Sequence, residues 1–239
     1  MTVRSIHARA ALDDGLAQLQ ADLRAMTSLL DVAIERSVLS LQTLDLRLAG
    51  LVIAGDHQIN KMRFSIEDRA IHLIATQQPI AGDLRFIVAT LMVVSEIERM
   101  GDYAAGIAKV TQLHEGRQLL KPLVDVPEMA RLVREMLREA VDAFLQRNEH
   151  TAERVAFQDD EVDRLYHIVY RELLQYMTND PATIDRATWL LWVAHNLERM
   201  GDRIQNICER AVYEVTGKVV EFSGMPPTSE ADRKAATDF

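Results

Sequence analysis

The chain has 239 residues, 48% of them hydrophobic and only 5% aromatic, so aliphatic side chains must fill the core of one large domain or two small ones. The net charge of −9 argues against nucleic acid as a partner, because binding to phosphates needs a basic surface. The single cysteine, Cys208, excludes an intramolecular disulfide, and no apolar run approaches the roughly 20 residues of a membrane-spanning helix. We expect a soluble, cytoplasmic protein that reaches a membrane only through its partners.

Long segments with 3.6-residue apolar periodicity, separated by prolines and turn residues, predict an all-α fold. The predicted helices cover residues 14–43, 46–77, 81–113, 127–147, 151–177 and 183–216. Asp45 is expected to cap the second helix, Pro127 to begin the fourth, Thr151 to cap the fifth and Gly217 to end the sixth.

The second half of the chain repeats the first. The segment Glu-Arg-Met-Gly-Asp occurs at residues 98–102 and again 100 positions later, and apolar neighbours keep the same register. A chance identity at matching places in two helices is improbable, so internal duplication is the economical explanation. We predict a tandem repeat of two three-helix bundles. Their expected bounds are 12–116 and 127–217, with a flexible tail at 223–239.

Each copy of the repeated segment carries two acids one helical turn apart. These are Glu98 with Asp102, and Glu198 with Asp202. Residues at i and i+4 share one helix face, where like charges repel, and partial burial adds to the cost. A cation is therefore expected beside each pair.

The preceding helix of each half offers a second set of oxygen atoms. Asp159 and Asp163 form the pair in the second half, and Asp56 with Asn60 takes its place in the first. If the helices pack antiparallel, four oxygen-bearing side chains meet in each half, a set that suits a cation such as Mg, Mn or Fe. The alternative is ordinary ion pairing with basic neighbours, namely Lys61, Arg99 and Arg199.

Gly101 and Gly201 lie in helix interiors, where glycine costs about 1 kcal/mol relative to alanine. Close helix packing and access of an ion between the carboxylates both account for them. His195 is interpreted as half-buried rather than as a ligand, since its counterpart in the repeat is Ser95. Core positions are expected for Trp189, Trp192 and Cys208.

The duplicated unit with Glu-Arg-Met-Gly-Asp in both halves resembles the PhoU family of phosphate-specific transport system accessory proteins. The segments 78–85 and 201–209 agree as well, and the resemblance covers roughly residues 12–221. It implies a regulatory adaptor between a phosphate ABC transporter, through its ATPase subunit, and a sensor histidine kinase. It further implies repression of the phosphate-starvation response when phosphate is plentiful. A homodimer is kept as a candidate assembly.

The resemblance also implies multinuclear metal clusters on Glu/Asp-x-x-x-Asp pairs, with Fe, Mn, Zn or Mg as candidate metals. The positions that match are Glu98 with Asp102, Glu198 with Asp202, and Asp159 with Asp163. The remaining pair departs from the pattern, because Asn60 follows Asp56. A neutral oxygen holds a hard cation less strongly than a carboxylate does, so the second half is predicted to bind metal more tightly.

Two other functions stay open at this point. One is a metalloenzyme, such as a hydrolase, built on the same carboxylates, and the other is a scaffold whose acids form salt bridges. None of the seven histidines follows a glutamate by three positions, so the Glu-x-x-His of di-iron bundles is missing, and no nucleophile motif is found. Binding, without catalysis, is the favoured role.

Overall fold

The computed structural model describes residues 3–114 and 116–222, with side chains from Arg9 onward. All regular elements in these ranges are helical, as the periodicity predicts. They are α1 (Val3–Thr43), α2 (Leu46–Gln77), α3 (Ala81–Leu113), α4 (Asp125–Leu145), α5 (Glu149–Ala156), α6 (Asp159–Asn179), a 3₁₀ turn (Pro181–Thr183) and α7 (Ile184–Thr216). The predicted bounds of α2 and α3 are confirmed, and the tail predicted at 223–239 lies outside the described residues.

α1 begins at Val3, so the predicted start at residue 14 is wrong. Gly15 lies inside this helix, and its missing side chain leaves room for Leu73 of α2, which a Cβ at this position would overlap. Arg9 ties the early turns of α1 to α3 through an ion pair with Asp83 at 2.7 Å. It also pairs with Asp13 of its own helix at 2.8 Å.

α4 begins at Asp125, which places Pro127 inside its first turn rather than at its start. A proline is tolerated there because the first N–H groups of a helix have no partner within it. The helix ends at Leu145 instead of residue 147, and Arg147 adopts a left-handed φ of 55°.

The predicted fifth helix is wrong in two respects. Asn148, not Thr151, caps it, since the Asn148 side chain accepts a hydrogen bond from the Thr151 N–H. The helix is also broken after Ala156 into α5 and α6. Phe157 lies at the break and packs edge-on against Phe222, with ring centroids 6.1 Å apart. The break starts a new helix at Asp159, so that this acid lies in the first turn of α6.

The helices of each half pack around α3 and α7, which also pack against each other along the middle of the molecule. α3 contributes fifteen buried residues and α7 contributes fourteen, as expected for the central helix of each repeat. One continuous apolar core runs through both halves. Gly217 ends α7 with a φ of 73°, as predicted. No helix in the described part of the chain is long and apolar enough to cross a membrane.

Candidate metal centre

The acids of the second half lie where α6 packs against α7. Asp159 and Asp163 occupy the first two turns of α6, and Glu198 and Asp202 lie one turn apart in the middle of α7. The charges of Asp202 and Glu198 act on Asp159, and the charge of Asp202 acts on Asp163, so the acids of the two helices are close neighbours. The structure therefore brings all four predicted side chains of this half to one place.

Asp159 is the most buried of the four, with 3% of its surface exposed. Its Oδ1 lies directly against the backbone of Gly201, where the Cβ of any other residue would overlap the carboxylate. The mid-helix glycine thus lets the Asp159 carboxylate, a candidate metal ligand, approach the backbone of α7 closely. This contact joins the two explanations that the sequence left open for Gly201.

The charge of this cluster is poorly compensated. Burial raises the pKa of the Asp159 carboxyl to about 8, and the charges of Asp163 and Asp202 add to the effect. Burial likewise raises the pKa of Asp163 and of Glu198, with Asp202 again contributing. Asp159 Oδ1 and Glu198 Oε2 are buried and accept no hydrogen bond within the described residues. Buried carboxylate oxygens without a donor are unusual, because a missing partner costs free energy.

The basic groups nearest this cluster lie on its solvent side. His195 Nδ1 is 3.2 Å from Glu198 Oε2, and 53% of the His195 side chain is exposed. Arg199 Nη1 is 3.2 Å from Asp202 Oδ2, also at the surface. The Tyr166 ring packs beside His195, with centroids 6.1 Å apart. About half of the His195 side chain is thus exposed, in agreement with the predicted half-buried position.

The first half repeats the arrangement between α2 and α3. Asp56 Oδ1 would lie 3.0 Å from a Cβ at Gly101, the same contact that Asp159 makes with Gly201. Asn60 uses its Nδ2 to donate a hydrogen bond of 3.1 Å to Asp56 Oδ2. Burial raises the pKa of the Asp56 carboxyl, and the charges of Asp102 and Glu98 add to this.

Arg63 distinguishes the first half from the second. Its Nη1 lies 3.1 Å from Glu98 Oε1, and its Nε donates a hydrogen bond of 2.7 Å to Glu67 Oε1. We did not single out this arginine from the sequence. The signal was its position seven residues after Asp56 and three after Asn60, a spacing that places all three on one face of α2.

The acids of each half are neighbours, but they are not preassembled around one point. Within the described residues, no group of three or more His, Cys, Asp or Glu side chains has the arrangement that would hold a metal ion. Cation binding would therefore require these side chains to rotate from their present positions.

Polar side chains also link the two halves at the contact between α3 and α7. Glu96 accepts hydrogen bonds from Arg203 Nη1 at 3.2 Å and from Asn206 Nδ2 at 3.3 Å. Arg203 directly follows Asp202, so this polar contact begins beside the second cluster. The sequence did not predict it, because Glu96 and Arg203 belong to different halves.

The three side chains expected in the core differ in how deeply they are buried. Cys208 is buried and free, and Trp189 packs edge-on against His114 at 5.3 Å. Trp192 is 53% exposed, so its predicted core position is wrong. It lies one turn before His195 and therefore faces solvent beside the second cluster.

Comparison with known proteins supports the internal repeat. The PhoU domain family matches the chain twice, at residues 23–111 and 126–211. A phosphate-specific transport system accessory protein PhoU homolog of Clostridium acetobutylicum is 36% identical over 216 residues, covering 90% of this chain and 99% of the relative. A protein of the same description from Aquifex aeolicus is 38% identical over 205 residues, covering 86% and 93%.

Solved structures agree with the fold. The crystal structure of PhoU from Pseudomonas aeruginosa superposes with a TM-score of 0.82 at 35% identity, covering 86% of this chain and 99% of that one. The phosphate transport system regulatory protein PhoU from Streptococcus pneumoniae superposes equally well at 0.82, with 32% identity and coverage of 88% and 99%. The likeness spans nearly the full length of each compared protein.

Proposed function

This chain belongs to the PhoU family, and on that premise we propose that it is an accessory protein of phosphate transport that acts as a regulatory adaptor. Its partners would be a phosphate ABC transporter, through the ATPase subunit, and a sensor histidine kinase. It would work in the cytoplasm by binding, without catalysis, and would repress the starvation response when phosphate is plentiful. The observation that carries the proposal is the near full-length likeness to named accessory proteins, in both halves of the repeat.

An exposed aromatic face on α6 and α7 supports a role in protein contacts. It comprises Tyr166 and Tyr170 of α6, followed one turn later by the apolar Leu174, and Trp192 of α7, which lies one turn before the His195 that packs on Tyr166. Tyr170 is 39% exposed, Leu174 40% and Trp192 53%, and the Tyr166 and Tyr170 rings lie 6.3 Å apart. Aromatic side chains that lie together at a surface are typical of binding sites for other proteins. This face borders the second acidic cluster, so a partner bound there would contact both.

We further propose that the second cluster takes up a divalent or trivalent metal ion on Asp159, Asp163, Glu198 and Asp202. The support is the chemistry of the donors, since four carboxylates suit Fe, Mn or Mg, and two of their buried oxygens accept no hydrogen bond within the described residues. A bound cation would add positive charge on the buried side of this cluster, opposite the exposed Arg199 and His195, and would hold α6 against α7.

The regulatory proposal is tested with a phosphate-starvation reporter in a deletion strain. We expect the reporter to be active in phosphate-rich medium without the protein and silent once the gene is restored. Trp192→Ala should weaken co-purification of transporter or kinase and leave folding intact, while Phe64→Ala, which removes a 61% exposed ring on α2, is the matched control. A reporter that stays silent in the deletion strain contradicts the adaptor role.

The metal proposal is tested by metal analysis of purified variants. Glu198→Gln should lose more bound metal than Glu98→Gln, because the first cluster has Asn60 in place of an acid. Equal losses, or a greater loss from Glu98→Gln, contradict this ranking.

A further inference from the structure

The two halves differ in charge at matching positions around their acids. Residues of α2 correspond to those of the α5–α6 segment 103 positions later, so that Asp56 matches Asp159 and Arg63 matches Tyr166. A permanent cation in the first half therefore corresponds to a neutral ring in the second. A second position also loses its cation in the second half, since Lys109 near the end of α3 matches the acid Glu209 of α7.

Arg63 is held on the first cluster by two carboxylates. Its side chain is 28% exposed and lies between Glu67 of its own helix and Glu98 of α3, whose side chain is 15% exposed. Charge-assisted hydrogen bonds of this kind are about twice as strong as neutral ones. Glu98 is thus already paired with a cation that belongs to the chain.

The corresponding glutamate of the second half, Glu198, has no guanidinium partner, and the basic group beside its Oε2 is the His195 ring at 3.2 Å, which is charged only when protonated. Glu198 Oε2 is buried and accepts no hydrogen bond within the described residues. The basic side chains that approach this cluster are exposed, namely His167, His195 and Arg199. The position that Arg63 takes in the first half is filled here by Tyr166, which packs on His195 and Tyr170.

We propose that Arg63 is a built-in counter-ion that takes the place of a metal ion in the first half, so that this chain loads metal through its second half alone. The inference rests on the metal-binding part of the proposed function and adds an internal control to it. A metal ion entering the first half would have to displace the guanidinium from Glu98. It would also be repelled by that positive charge at close range.

The experiment uses the full chain, stripped with EDTA, loaded with Mn²⁺, desalted and analysed for bound manganese. In the wild type, Glu198→Gln should remove the manganese and Glu98→Gln should leave it unchanged. Arg63→Gln should raise bound manganese toward twice the wild-type amount, as expected when a second, weaker site opens, and adding Glu98→Gln should abolish the gain. Arg69→Gln is the matched control, since it removes an α2 arginine that pairs with Asp22 at 2.9 Å, away from the cluster.

The reciprocal exchange, Tyr166→Arg, should lower manganese binding in the second half. Far-ultraviolet circular dichroism checks that the variant folds. If Tyr166→Arg does not fold, the Arg63→Gln comparison alone tests the inference. Arg63→Gln is expected to fold, because it only shortens a partly exposed side chain.

Each outcome separates this inference from the function on which it rests. No gain in Arg63→Gln, or loss of manganese from the wild type on Glu98→Gln, overturns the inference. A Glu98-dependent gain in Arg63→Gln, with no manganese in the wild type, supports the counter-ion role of Arg63 and shows that the second-half metal site is wrong. If neither protein loads manganese, both proposals fail.

Discussion

Replacing Asp159 with asparagine tests whether the second cluster stores electrostatic strain in the metal-free protein. Asparagine keeps the shape of the side chain against Gly201 and removes its ability to ionise. Because Asp159 is 3% exposed and surrounded by other acids, its ionised form is disfavoured in the fold but not in the unfolded chain. The metal-free Asp159→Asn variant should therefore be more stable than the wild type.

The raised pKa of Asp159 determines how the stability of the fold changes with pH. The Asp159 carboxyl has a pKa of 3.8 when unperturbed and about 8 in the fold, so the folded state holds the extra proton between these values. Stability then falls as pH rises through this window and is fully retained only below the unfolded pKa. Between pH 3.8 and pH 7 the wild type crosses about 3 pH units of this window. At about 1.4 kcal/mol per unit, its free energy of unfolding falls by about 4 kcal/mol.

The neighbouring acids share this penalty, so part of it survives the substitution. We expect a net gain of about 2 kcal/mol at pH 7, or roughly 4–8 °C in Tm for a chain of this size. The assay is urea and thermal unfolding in EDTA at pH 5, 6, 7 and 8, with the gap between the two proteins widening as pH rises. Asp160→Asn is the control, because this exposed neighbour should change stability by less than about 0.5 kcal/mol.

Two results would refute this reasoning. A gap that does not depend on pH shows that ionisation of Asp159 is not its cause. A variant less stable than the wild type in EDTA shows that the carboxylate stabilises the fold without metal. With metal present the order should reverse, because a ligand that binds only the folded state stabilises the protein that retains the site.

The remaining predictions concern packing and pairing near the two clusters. Gly201→Ala should cost about 1–3 kcal/mol in urea unfolding, because the new Cβ overlaps Asp159 Oδ1. Gly101→Ala should be nearly neutral, because the Asp56 contact of 3.0 Å can relax and alanine favours the helix by about 1 kcal/mol; equal losses would contradict the difference between the halves. Arg147→Gln should cost about 2 kcal/mol at pH 7, since it leaves the Glu214 side chain, 1% exposed, without its 2.8 Å partner. That loss should shrink at pH 4, where Glu214, whose pKa is raised by burial, can take up a proton, and an unchanged loss would show that the pair is not its source.

Much of the fold was predictable because its boundaries are marked locally. Asp45 caps α2 through its own side chain, and Gly217 ends α7 in the left-handed conformation that glycine favours. The repeat was predictable because the identical five-residue segment aligns the sequence of α3 with that of α7. The break between α5 and α6, which was not predicted, coincides with a contact between residues distant in sequence, that of Phe157 with Phe222.

The candidate site shows the same division. Spacing within one helix placed Glu98 beside Asp102 and Glu198 beside Asp202, because residues one turn apart share a face. Pairing between helices was not predictable in this way. The contact of Arg63 with Glu98 depends on how α2 is rotated against α3, and the sequence pointed to Lys61 and Arg99 instead.

Internal duplication explains why these halves can diverge without loss of fold. The contact between an aspartate and a mid-helix glycine is preserved in both halves, at Gly101 and Gly201, because it sets how closely the helices approach. The cation beside that contact is free to vary, since the packing needs positive charge but not a particular source of it. A guanidinium of the chain satisfies this need permanently, as Arg63 does for Glu98. An ion from solution would satisfy it only while bound, and under the proposed metal binding the second half would then be the one whose stability responds to the ion concentration.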